Sequence, residues 1–103
     1  MRKTMRCCPC CRLPGTITAV HHGVFDGVAV LFALCLRCTR ANARLPPSTL
    51  QKRLNACGEL AASDTTCRFW TARFPDRDAA TLAASMLGHE STARQMAEAL
   101  NWL

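Results

Sequence analysis

Two C-x2-C steps constrain this chain more than any other feature. Of its 103 residues, eight are cysteine. Cys7, Cys8, Cys10 and Cys11 crowd around Pro9, and Cys35 and Cys38 form the second step. A C-x2-C turn aims two sulfurs at one point, and a tetrahedral ion such as Zn2+ takes four. A hairpin between the steps brings the second pair to the first. The spacing predicts one structural zinc ion held by four thiolates. Cys7 with Cys10 and Cys8 with Cys11 both have the spacing for the first pair. Cys8 and Cys11 are preferred, because a proline directly after Cys8 presets φ for the turn. The ligand set is then Cys8, Cys11, Cys35 and Cys38.

Other uses of the thiols compete with this one. The chain opens on basic residues and then cysteines, without the apolar stretch of a secretory signal. That predicts a cytoplasmic setting and disfavours disulfides. A thioredoxin-like redox pair needs a βαβ context that is missing. An iron–sulfur cluster also takes four thiolates. A second metal on Cys7 or Cys10 with Cys57, Cys67 or a histidine is a further option. Cys57 instead reads as core, on an apolar helical stripe with Leu50, Leu54 and Ala61. Cys67, beside Phe69 and Trp70, reads the same way.

Cys8-Pro9-Cys10-Cys11 and Cys35-Leu36-Arg37-Cys38 resemble the knuckles of zinc-ribbon and treble-clef proteins, where C-P-x-C opens a small hairpin module. The resemblance spans residues 7–44 and implies a closed, structural metal site. Two departures stand out. Arg12, not glycine, follows the first knuckle, and that knuckle's cysteines are doubled.

Residues 15–34 alternate and are rich in β-branched side chains. Asp26-Gly27 is a type I′ hairpin signal. Pairing Phe25 with Val28 propagates to Gly23 with Val30, His21 with Phe32 and Ala19 with Leu34. Ile17, Ala19, Phe25, Val28, Val30, Phe32 and Leu34 then share one face, which the later helices cover. Val20, Val24 and Leu31 make the other face too apolar for solvent and point to a partner or a twin subunit. His21 and His22 read as one buried and one exposed strand histidine.

Thr39 to Leu45 reads as helix, stopped by Pro46-Pro47. Arg37, Arg40 and Arg44 fall on one face of it. Ser48 to Gln51 reads as a capping box opening the next helix. Residues 65–74 fit a helix slightly better than a strand. Asp76 caps a helix with Ala79, Leu82, Ala83, Met86 and Leu87 inward, ended by Gly88. Ser91 caps a last one with Met96, Ala97, Leu100 and Leu103. A helix-turn-helix over 79–102 is disfavoured, because His89 and Arg94 fall where apolar residues belong.

The fold class that results is α+β: an N-terminal zinc ribbon or treble clef, a β-hairpin plus helix, packed on short C-terminal helices. The zinc-binding hairpin module covers 1–45 and the helical region 46–103, packed together as one domain. Residues 1–53 carry nine basic residues against one acid, and 54–103 carry four against six. Eleven of the 13 basic residues are arginine, suited to bidentate phosphate or carboxylate contacts. With four thiolates filling the metal and no nucleophile–base pair or phosphate loop, a non-enzymatic protein acting through its surface is expected. Arg2, Lys3, Arg6, Arg12, Arg37, Arg40 and Arg44 are the candidates for contacting nucleic-acid phosphates. The alternative is a protein-binding adaptor or inhibitor, similar in style to phage and mobile-element accessory proteins that block a host complex. No apolar run is long enough for a membrane span. A homodimer is compatible with the pattern.

Overall fold

The computed structural model describes residues 6–90 together with Gln95, Glu98, Leu100 and Trp102. Asp26 and Gly27 take φ of 51° and 78°, the left-handed pair that a type I′ turn requires. This turn joins β1 (Ile17–Phe25) to β2 (Val28–Cys35) as an antiparallel hairpin. Its register pairs Phe25 with Val28, Gly23 with Val30, His21 with Phe32 and Ala19 with Leu34, as the turn dictates. A bulge between Ile17 and Ala19 then sets Ile17 opposite Cys35. The Thr18 hydroxyl, within the bulge, donates to Thr39 Oγ1 at 2.9 Å.

Among the described residues four further elements follow: α1 (Leu36–Asn42), α2 (Pro47–Ser63), β3 (Thr71–Phe74) and α3 (Arg77–Glu90). β3 pairs antiparallel with β2, giving the sheet order β1-β2-β3. Residues 65–74 are thus loop and strand rather than helix. The reason lies in β2. Its backbone groups from Ala29 to Ala33 are buried, and buried amides and carbonyls need partners on both edges. β3 supplies the second edge, extended by the Ala33 amide donating to the Trp70 carbonyl at 3.0 Å.

The loop before β3 is organised by Asp64. Its buried carboxylate accepts hydrogen bonds from the amides of Thr66 and Arg68, each at 3.2 Å, and of Phe69 at 3.0 Å. Burial opposes its charge, but the amides of Phe69, Arg68 and Thr66 outweigh that and hold the carboxyl below its usual range. The turn places Cys67 at φ 58° and turns it outward, so Cys67 is exposed rather than core. The Arg73 guanidinium closes the same corner on the carbonyls of Ala62 and Asp64.

Both faces of the sheet are covered. On the Phe32 face, α2 crosses so closely that Gly58 lies against the Phe25 ring. Cys57, Ala61 and Ala62 are buried beside it. On the other face Leu31 and Ala33 are fully buried and Ala29 is 4% exposed. α3, like α2, packs on all three strands. The Leu31 side of β2 is therefore buried within the chain, while Val24 on β1 stays exposed. Alanines explain the close fit. Among the described side chains of α3, Ala80 is buried and Ala79, Ala83 and Ala84 are half-buried; the Leu87 side chain lies outside them. Leu82 and Met86, expected inward, are instead 61% and 70% exposed. A small-residue face lets a helix axis approach its neighbours more closely than leucine and methionine would.

The helix ends follow local chemistry. Asp76 Oδ1 accepts from the Ala79 amide at 2.8 Å and caps α3, which continues through Gly88 to Glu90. α2 starts on Pro47 at its first turn, with Pro46 as N-cap and no side-chain cap, so the Ser48 capping box does not form. Leu100 is half-buried and Trp102 is buried in the same core. The Ser91 cap, Met96, Ala97 and Leu103 lie outside the described residues.

Candidate metal centre

The first knuckle precedes β1, and the second straddles the end of β2 and the start of α1. The bulged end of the hairpin lays one beside the other. The sulfurs of Cys8, Cys11, Cys35 and Cys38 lie within 4.8 Å of one another. Cys11 Sγ and Cys35 Sγ are 3.6 Å apart. Four sulfurs at about 2.3 Å from a tetrahedral ion stand about 3.8 Å from each other, so this cluster fits a metal of that kind.

The backbone prepares the site for anionic sulfur. The amides of Cys10 and Cys35 each donate to Cys8 Sγ at 3.4 Å. Arg12 takes φ 62°, where glycine is the easier residue. That conformation lets the Arg12 amide reach the Cys8 carbonyl at 2.8 Å and closes the knuckle. Burial and crowding dominate the proton affinities. Burial, then hydrogen bonding with Cys35, Cys10 and Cys11, pushes the Cys38 thiol far up. At Cys35 burial also acts upward, but hydrogen bonds from the Cys38 backbone and from the Cys38, Cys11 and Cys8 thiols win, holding it at about 7. Burial raises Cys8 despite its amide donors. Four close sulfurs share protons unequally, and a cation in their midst replaces those protons.

The remaining cysteines divide. Cys7 is engaged through its backbone: its amide donates to the Arg68 carbonyl at 2.9 Å, and its carbonyl accepts from the Trp70 amide at 3.1 Å. Its thiol faces the same Arg68 carbonyl at 3.3 Å. This parallel bridge ties the knuckle to the loop that Asp64 organises. Cys57 is buried in α2, where burial and the adjacent Cys10 thiol push it up to about 12. His21 is half-buried against Phe32, with ring centroids 5.5 Å apart, and His22 is exposed. Burial lowers His21 below its ordinary value.

The basic candidates lie on several elements. Arg37 and Arg40 are exposed on α1, and Arg44 is exposed in the turn beyond its end, since α1 stops at Asn42. Arg37 leans over the centre, with Nη2 at 4.0 Å from Cys11 Sγ. Arg12 is exposed at the knuckle, and Arg6 is half-buried. Arg2 and Lys3 lie outside the described residues. Arg53 is a further cation near the site, donating to Asn42 Oδ1 at 3.3 Å and lining a groove with Cys10, Arg12 and Cys57. Its position four residues before Cys57 on the α2 stripe was the signal for it.

Among the described residues no helix is long and apolar enough to cross a membrane. Comparison with protein-family models, with curated proteins and with solved structures finds no match.

Proposed function

We propose that the chain is a small zinc-stabilised module of treble-clef or ribbon type that binds nucleic-acid phosphates through arginines beside its metal site. Four thiolates complete a tetrahedral zinc shell and leave no position for a substrate water, so the metal's part is structural. The carrying observation is that Arg12, Arg40 and Arg44 are exposed, and among the described residues none lies within ion-pair distance of a carboxylate. Unneutralised guanidiniums on a fixed scaffold are suited to a polyanion. Arg37 would share its charge between the thiolates and a phosphate.

The test is fluorescence anisotropy of labelled single- and double-stranded DNA and RNA against the metal-loaded protein. Four phosphate contacts predict a loss of affinity of about two orders of magnitude between 50 and 200 mM salt. The R40E/R44E double variant, with metal content unchanged, should abolish binding. No binding of any probe at 50 mM salt would overturn the reading. A protein partner is the second reading, of the adaptor or inhibitor kind. It draws on the exposed Leu82 and Met86 of α3, which stand one turn apart. A stoichiometric partner that survives nuclease treatment and is lost in L82S/M86S would favour it.

A further inference from the structure

Beside the four-sulfur cluster lie two thiols that are not part of it. Cys10 sits inside the first knuckle but outside the metal group. Cys57 on α2 borders the same space. Both line an open groove of about 750 Å3, with Arg12 and Arg53 along it and Glu59 as its one acid. Cys10 is half-exposed, whereas Cys57 is 5% exposed and forms the floor. One thiol is thus the more accessible to solvent, and the other is nearly enclosed.

We propose that Cys10 and Cys57 form a thiol-exchange site for a small anionic disulfide of the glutathione class. Each half of that disulfide carries two carboxylates and one ammonium. The groove offers two guanidiniums and one carboxylate, the complementary set. Its volume is in the range that holds a ligand of this size. The step is an ordinary exchange. The Cys10 thiolate attacks one sulfur of the bound disulfide, the S–S bond breaks, and the first thiol leaves with a proton. The Cys57 sulfur, losing its own proton to solvent, then attacks Cys10 Sγ and expels the second thiol. Two protein thiols are oxidised to one disulfide, and one small disulfide is reduced to two thiols. No metal ligand is consumed. The product links the knuckle covalently to α2 while Cys8, Cys11, Cys35 and Cys38 keep their ion. This inference is independent of the nucleic-acid reading.

The experiment treats reduced, zinc-loaded full-length protein with oxidised glutathione and follows it by native mass spectrometry and non-reducing peptide mapping. The expected product is two hydrogens lighter, retains its metal and carries a Cys10–Cys57 link. C57S should instead accumulate one glutathione on Cys10, and C10S should give neither product. R12E/R53E should slow the reaction with oxidised glutathione about ten-fold while leaving the rate with neutral hydroxyethyl disulfide unchanged. Three results would overturn the proposal: links among the four cluster cysteines with metal loss, no glutathione on Cys10 in C57S, or equal slowing with both disulfides.

Discussion

Gly58 offers a sharp test of how α2 meets the sheet. A Cβ built there would overlap the Phe25 ring, with Cε1 at 2.6 Å and Cε2 and Cζ nearer still. Carbon atoms in contact prefer about 3.5–4.0 Å, so helix or ring must shift. Gly58→Ala in an open helix would gain about 1 kcal/mol from propensity. Overpacking a fitted contact costs about 1–3 kcal/mol. The net expectation is a loss of about 1 kcal/mol, or about 4–8 °C in Tm for a domain of this size. Phe25→Ala removes the obstacle, and in that background Gly58→Ala should stabilise by about 0.5–1 kcal/mol. The coupling between the two changes is then about 2 kcal/mol. Urea denaturation of the four proteins at saturating zinc measures it, with metal held constant so that linkage does not distort the cycle. If Gly58→Ala stabilises the wild-type background as well, the close crossing of α2 over Phe25 is refuted.

The other predictions concern the thiols, the loop and the knuckle. Cys35→Ser or Cys38→Ser should abolish stoichiometric metal binding and cooperative melting, whereas Cys67→Ser should keep both and change stability by less than about 0.5 kcal/mol; metal analysis and thermal melts separate them. Asp64→Asn should cost about 1–3 kcal/mol at neutral pH, because an amide cannot accept from all three backbone donors. The folded carboxyl lies below its unfolded value of about 3.9. Its contribution is therefore present above about pH 4 and is lost as pH falls through the folded value. The gap between wild type and Asp64→Asn should close on acidification, and a gap unchanged down to pH 2.5 would contradict this. Arg12→Gly should relieve the left-handed backbone and leave stability unchanged or up to about 1 kcal/mol higher. The same change should weaken phosphate binding, which melts and anisotropy measured together would reveal.

What was legible in the chain follows the strength of its local rules. Asp26-Gly27 admits essentially one tight turn, and the hairpin register follows from it. The four ligand thiols are a spacing problem with few solutions. Residues 65–74 were not legible, because Phe69, Trp70 and Phe74 suit strand and helix alike. The deciding facts were an open edge on β2 and the amide-binding Asp64, both contacts across the fold. Cys67 misled because its neighbours are apolar, while its own backbone sits at a positive φ that turns it away from them. α3 misled because large apolar residues ordinarily face inward. Here the more buried of its described positions are alanines, which let a helix pack closely. The sequence left open which cysteine accompanies Cys57, and the groove that Cys10 and Cys57 share answers it.

The place of β3 also bears on how the chain is made. All four thiols of the cluster have been synthesised by Cys38, but β2 receives its outer neighbour only at Thr71–Phe74. At about 5–20 residues per second that interval lasts about 2–7 s. During it the nascent hairpin presents an unpaired, apolar strand edge, the kind that recruits other chains. Metal capture at that stage would pin the hairpin to α1 and leave the edge waiting in a fixed geometry. A cell short of metal would release the same segment unpinned, so scarcity of the ion would lower the yield of soluble protein before it affected any finished molecule.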